Sequence, residues 1–526
     1  MLACGKNASV IVTSDGELHS TGVNTHGQIG HGMAKCKWFF EKPKYENGLS
    51  FLYVSVFDRH MAAVDNSGEV HVCGNARDGR LGIGVPSEKF GFNYLGVRKL
   101  AEVQVQYVKL KKISMVESLQ AMSMNMHHNV QDLSFFEEKM LKVACGSRFT
   151  LALSSAGRVW ATGANSRGQL GLNDHTSRYF FTSMENFFSE GGELLSLPHV
   201  VDIAAGSNHS MMLCKNGNLF VCGDNDSGSL GLGDRVDRLG PTLVEQLFQD
   251  KVCRIAAGVW HSLAITDEGH LYTWGKGWYG QLGHGTGCDL TLPKKVWLPE
   301  TRDDFVIMAS GGLSHTVFLC REKTVWSCGR GCHGSLCTGD IGCRMIPARI
   351  DTTVIKNVNK ENEVMIVVCG HDHTGIVASD GTLYMCGRGD GGNIWFKKED
   401  GPGGLSLERQ VLPRLTPVIV KKRKGLNFQA PISVGPALAW RKRMSELVLA
   451  FCIPILMHYS SEVENMLLRA LDKGKKAKDE ETRSGGLVFD LTPDLLGIIA
   501  KMVLCTGMPE YQSYHKSSRM LVGEEN

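Results

Sequence analysis

The glycines of this chain fall on a ruler. With Gly258 of the run IAAG set to zero, further glycines stand at +11, +17, +22 and +25, at Gly269, Gly275, Gly280 and Gly283. The ruler fits six more stretches, starting at Gly5, Phe57, Gly146, Gly206, Gly312 and Gly370, so the chain carries seven copies. Every copy has glycine at +17 (residues 22, 74, 163, 223, 275, 329, 387) and at +22 (27, 79, 168, 228, 280, 334, 392), with Ile or Leu at +24. Self-similarity at such a period means repeated units, each of which buries its apolar face only against its neighbours.

The ruler also decides what to make of GKGWYG at 275–280, which matches the G-x-G-x-x-G of a dinucleotide-binding loop. That fingerprint needs a strand before it and a helix after it, and QLGHGTG is a poor helix. The pattern recurs as GRGCHG at 329–334 and GRGDGG at 387–392, where it is again positions +17, +19 and +22 of a copy. It belongs to the repeat, and no cofactor is expected.

Within a copy, HSLAIT (261–266) and HLYTW (270–274) are short apolar or alternating runs separated by DEG. Across copies this turn ends in glycine, which supplies the positive φ of a tight hairpin. Copy six has Lys323 there instead, and is expected to be strained or to turn differently. A Gly-rich corner and segments such as GPTLV (240–244) bring the count to about four strands, the size of a propeller blade. The expectation is an all-β chain: seven blades over residues 1–435, then a small helical extension over 436–526 with a charged linker near 473–485.

Composition fits many tight turns: 61 Gly and 15 Pro in 526 residues. A net charge of +3 from 57 basic and 54 acidic residues demands neither nucleic acid nor an anionic membrane. The longest apolar run, 447–459, is too short to span a bilayer and contains a proline. Leu2 already belongs to the first copy, so no signal peptide is expected, and the 17 cysteines are expected to be reduced thiols in cytosol or nucleus. Cys328, Cys332, His333, Cys337 and Cys343 crowd one segment, but the ruler places Cys328 at +16 with Cys73, Cys222 and Cys386. Buried structural thiols, and no metal, are the expectation. No G-x-S-x-G, H-E-x-x-H or Walker loop occurs, so no catalytic residue is assigned.

The units IAAGVWHSLAITDEGHLYTWGKGWYGQLGHG and VACGSRFTLALSSAGRVWATGANSRGQLGL resemble the repeats of the regulator of chromosome condensation family. The resemblance covers about residues 2–435 and implies a seven-bladed β-propeller. Family members include a guanine-nucleotide exchange factor for a nuclear small GTPase, propellers within large ubiquitin ligases, and a plant ultraviolet-B photoreceptor. The photoreceptor's G-W-R-H-T segment is missing here, and so is the basic N-terminal tail of the chromatin-bound member, so DNA binding is not expected.

In the family, loops at +1 to +3 open on a partner-binding face. Here they read KNA (6–8), DRH (58–60), SRF (147–149), SNH (207–209), VWH (259–261), LSH (313–315) and HDH (371–373). Asp58, Arg59, Arg148, Asn208, Trp260, His261, His371 and Asp372 are the candidate contacts, being the residue types that anchor interfaces. The +3 histidines, His60, His209, His261, His315 and His373, can be read as partner contacts or as hydrogen-bonding residues at a strand start. A second candidate is an insertion within 85–142, where copies two and three start 89 residues apart against 52 to 60 elsewhere. The function expected is a non-catalytic protein-interaction propeller. The alternatives are exchange activity on a Ran-like small GTPase and substrate adaptation in ubiquitin ligation.

Overall fold

The computed structural model describes residues 1–32, 36–43, 45, 48–84, 111–112, 138–188, 192–298, 305–358, 360–389 and 411–417. Seven four-stranded antiparallel sheets follow one another along the chain, over residues 2–41, 51–112, 140–184, 200–243, 252–295, 306–349 and 364–417. Each is one blade of a seven-bladed β-propeller. In blade 5 the strands are Val252–Ala257, His261–Thr266, Leu271–Gly275 and Leu290–Lys295, paired in that order. The ruler's zero therefore lies just after a first strand, and +1 to +3 joins the first strand to the second. The first strand of every blade touches the first strand of the next, and that of blade 7 touches that of blade 1. The ring is closed without any strand exchanged between blades among the described residues.

The core lies between blades. Leu151, Val159 and Ala161 of blade 3 pack on Met212, Phe220 and Cys222 of blade 4, all buried. Leu263 and Leu271 of blade 5 likewise meet Phe318 and Trp326 of blade 6. Each large side chain fully buried this way stabilises the ring by about 2 kcal/mol.

The +17 glycines explain why the ruler is so regular. All seven have φ between +96° and +116°. A Cβ on Gly275 would lie 2.7 Å from the carbonyl oxygen of Trp260, and one on Gly163 2.4 Å from that of Arg148. The next amide donates to the same oxygen, Lys276 N to Trp260 O at 3.0 Å and Ala164 N to Arg148 O at 2.9 Å. Each first loop is thus pinned at its +2 carbonyl by the end of the third strand. In GKGWYG the middle glycine has a different reason: a Cβ on Gly277 would lie 2.0 Å from Cys288 O. The loop folds back on itself, and no helix follows.

Lys323 keeps the common turn, with φ +59° and its amide bonded to Cys320 O at 3.0 Å, so strain is what copy six accepts. Two details depart from expectation. Lys111–Lys112 pairs with the third strand of blade 2, and Met140–Cys145 is the first strand of blade 3, so parts of the 85–142 span belong to blades. Cys337 and Cys386 form a disulfide, with Cα atoms 5.6 Å apart, so not every thiol is reduced. The pairing has a positional cause. Position +25 of one blade faces +16 of the next, as where a Cβ on Gly283 would stand 3.3 Å from Cys328 Sγ, and only blades 6 and 7 bring a cysteine to both places. The residues beyond 417, including the helical extension and its linker, lie outside the described residues. Among those described, no helix is long and apolar enough to cross a membrane.

Candidate functional site

The first loops of successive blades touch one another around the axis. Lys6 N donates to Phe57 O, Ser147 N to Ser207 O, Ser207 N to Val259 O, Val259 N to Gly312 O, Leu313 N to His371 O and His371 N to Gly5 O, at 2.7 to 3.1 Å. Their side chains divide into two populations, one in the wall and one on the rim.

The +3 histidines are in the wall. His60, His209, His261, His315 and His373 are at most 1 % exposed, and each ring reaches into the following blade. His60 Nε2 lies 2.9 Å from Thr150 Oγ1, His209 Nε2 3.1 Å from Ser262 Oγ, His261 Nε2 2.9 Å from Thr316 Oγ1, His315 Nε2 3.0 Å from Thr374 Oγ1, and His373 Nε2 3.0 Å from Ser9 Oγ. All five hydroxyls stand at +4. Four of them, Thr150, Ser262, Thr316 and Thr374, donate to a +23 carbonyl of the preceding blade, those of Arg80, Ser229, Gln281 and Ser335. A hydroxyl whose proton is so engaged must accept from histidine, which fixes the proton on Nε2. Burial holds these rings neutral: it pushes His60, His261 and His373 down to about 3 and His209 and His315 to about 4. His261, expected as a rim contact, is therefore corrected to a latch between blades, because no part of it reaches the surface.

The other candidates line the rim. Arg148 is exposed and has no carboxylate within ion-pair reach among the described residues. Trp260 is 37 % exposed, with Lys276 Nζ 4.4 Å from its ring centroid. Asn208 is half-buried. Asp58 faces Arg59 at 3.3 Å and Lys6 at 3.8 Å, so this pair answers its own charge. Asp372 is the most enclosed: His371 Nδ1 lies 3.2 Å, His333 Nδ1 3.4 Å and Arg388 Nη1 3.8 Å from its oxygens. Burial alone would raise its pKa, but the hydrogen bond from His371 and the neighbouring imidazoles outweigh burial and hold the carboxyl well below the usual range.

The rim also receives residues that the first loops do not carry. Trp278, 62 % exposed, and Tyr279, 37 % exposed, come from the segment after the third strand of blade 5. Lys276 Nζ lies 4.2 Å from the Trp278 centroid, so the ammonium stands between two indoles. These positions, +20 and +21, fall between the ruler's fixed glycines, and their clustering with Trp260 is visible only in three dimensions. Among the described residues, two sets of three side chains could approach a cation, Asp65/Glu69/His71 and Asp224/Asp226/Asp237, and neither includes the cysteine-rich segment.

The model of the RCC1-like domain matches residues 119–424, and that of the regulator of chromosome condensation (RCC1) repeat matches residues 2–28. The chain belongs to the RCC1-like domain family. This RCC1-like chain is 28 % identical over 395 residues to the ultraviolet-B receptor UVR8 of Arabidopsis thaliana, covering 75 % of this chain and 78 % of the receptor. It is 37 % identical over 220 residues to the probable E3 ubiquitin-protein ligase HERC4 of Homo sapiens, covering 42 % of this chain but 20 % of that protein. Among solved structures, Prp20p of Saccharomyces cerevisiae, described with its binding properties to Gsp1p and histones, superposes with a TM-score of 0.58 at 20 % identity. That superposition covers 82 % of this chain and 94 % of Prp20p, and at this identity it speaks for the fold.

Proposed function

We propose that this RCC1-like chain is a non-catalytic interaction module whose first-loop rim receives a protein partner. The observation that carries the reading is the contrast between backbone and side chains at +2. Seven equivalent carbonyls are pinned in the same way by the +17 and +18 positions, while the side chains they present are Asn7, Arg59, Arg148, Asn208, Trp260, Ser314 and Asp372. A rigid scaffold bearing dissimilar loops is how binding surfaces are built. The test is quantitative capture of partners by the full chain, an Arg148→Glu/Trp260→Ala variant and a deletion of residues 113–134. The rim variant is expected to lose bound partner by roughly tenfold or more, as removal of an arginine and a tryptophan anchor does, while the deletion retains it. The opposite pattern would move the site to the inserted segment.

Exchange activity on a small GTPase is the second reading, favoured by the likeness to Prp20p over 82 % of this chain. An exchange factor performs no bond chemistry; it binds the nucleotide-free state better and shifts a population. Nucleotide-release assays across a panel of small GTPases distinguish the two. Acceleration by the full chain that is lost on Asp372→Ala establishes exchange, and unchanged release leaves the interaction module. A role as adaptor in ubiquitin transfer has less support, because the matched region is a fifth of HERC4.

A further inference from the structure

One sector of the rim has cations without acids. Lys276 lies between the rings of Trp260 and Trp278, and Arg330 of blade 6 stands with Cζ 5.0 Å from the Tyr279 centroid. Among the described residues, neither cation has a carboxylate within ion-pair reach. Elsewhere on this face Arg148 is likewise without an acid among the described residues, whereas three other cations are answered: Arg167 by Asp224, Asp226 and Asp237, Arg59 by Asp58, and Arg388 by Asp372. Exposed cation–π contacts contribute too little to account for two indoles and a phenol left at the surface. The apolar surface continues outward. Met345 and Ile346, on the outer strand Arg344–Arg349 of blade 6, are 39 % and 50 % exposed, and Met345 O accepts from Gly285 N of the same blade 5 loop at 2.8 Å.

We infer that this sector binds a short acidic peptide segment, with carboxylates on Lys276 and Arg330 and an apolar side chain seated on Trp278 and against Met345 and Ile346. The inference rests on the rim being the partner surface and specifies the partner's chemistry. Stacking holds the ammonium and the indoles in place before binding, so less side-chain freedom is lost on association. Aromatic rings beside cations also suit single-stranded nucleic acid, but that ligand needs a basic track for successive phosphates. Here the track is interrupted on both sides, by Asp226 of blade 4, 71 % exposed, and by Asp340 of blade 6, 50 % exposed. Two cations on adjacent blades suffice for the carboxylates of a short acidic segment, whereas a nucleic-acid strand needs a continuous basic groove along its backbone.

The experiment is selection of displayed random peptides on the full chain. It is repeated on Lys276→Ala/Arg330→Ala and on Trp278→Ala, with thermal midpoints and near-ultraviolet circular dichroism verifying that both variants fold. Selected peptides are expected to carry at least two acidic residues beside an apolar one. Their affinity should fall roughly tenfold in either variant, the size expected for an interface anchor, and should weaken with added salt. A neutral or basic consensus, affinities unchanged in the variants, or tighter binding of oligouridylate than of the selected peptides overturns the inference. Partner capture that depends on Arg148 while the peptide result is negative leaves the rim reading standing and removes this one alone. Loss of both removes both.

Discussion

At the scale of single residues, the latch histidines carry the sharpest consequence. An unfolded histidine titrates near 6.5, whereas burial holds these five at about 3 to 4. Below pH 6.5 the unfolded chain takes up protons that the folded ring refuses. The stability these groups contribute is therefore complete above that pH and is lost as pH falls toward their folded values. Each latch adds about 1.4 kcal/mol of lost stability per pH unit across that window. Glutamine places an N–H where Nε2 stands and does not titrate, so His261→Gln should flatten the stability profile between pH 6.5 and 4 by that slope, read from urea unfolding at several pH values. An unchanged slope would mean that His261 is not buried and neutral. The repeated histidine is legible in a single copy, whereas its partner lies in the next one. Every copy with histidine at +3 is followed by Ser or Thr at +4 of the next copy; of the two that cannot bond, Ala8 is followed by Met61 and Phe149 by Ser210, which bonds the Gln169 carbonyl at the +23 position common to these hydroxyls. Read diagonally across copies, the latch is written in the chain.

At the scale of elements, the hairpin between second and third strands shows what a position demands. Six blades place glycine at +11 with φ from +77° to +88°, and blade 6 holds Lys323 at +59° in the same turn. A side chain in this left-handed region costs roughly 1–2 kcal/mol. The long ion pair of Lys323 with Glu363, 3.9 Å apart and partly exposed, offsets little of it. Lys323→Gly should therefore raise stability by about 1 kcal/mol, measured as a higher urea midpoint at unchanged slope. A lower midpoint would show that the lysine is held by contacts worth more than its strain. That copy six is exceptional at this turn is legible in the sequence, because a one-residue turn requirement is local; strain and a different turn are both open there, and the φ of Lys323 decides for strain. The Cys337–Cys386 bond is not legible in this way, because it joins two copies at different ruler positions.

At the scale of the molecule, the ring was legible for the same reason as the turns: glycine at +17 is the residue that tolerates both a positive φ and the +2 carbonyl, so it repeats without exception. The rim was legible only in part. Arg148 and Trp260 can be placed on one face by aligning the first loops in the sequence, whereas Trp278, Tyr279, Lys276 and Arg330 come to that face from the segments after third strands. Which loop residues are exposed depends on what the next blade sets against them, as with His333 of blade 6 beside Asp372 of blade 7. On the function proposed above, partners meet the first-loop face and not the opposite face, where second and third strands turn. A photo-crosslinking residue placed singly at Arg148 or Trp260, and at Asn216 or Glu268 on the opposite turns, tests it directly in the full chain. Partner adducts are predicted at 148 and 260 and not at 216 or 268; adducts confined to 216 and 268 would place the partner on the opposite face.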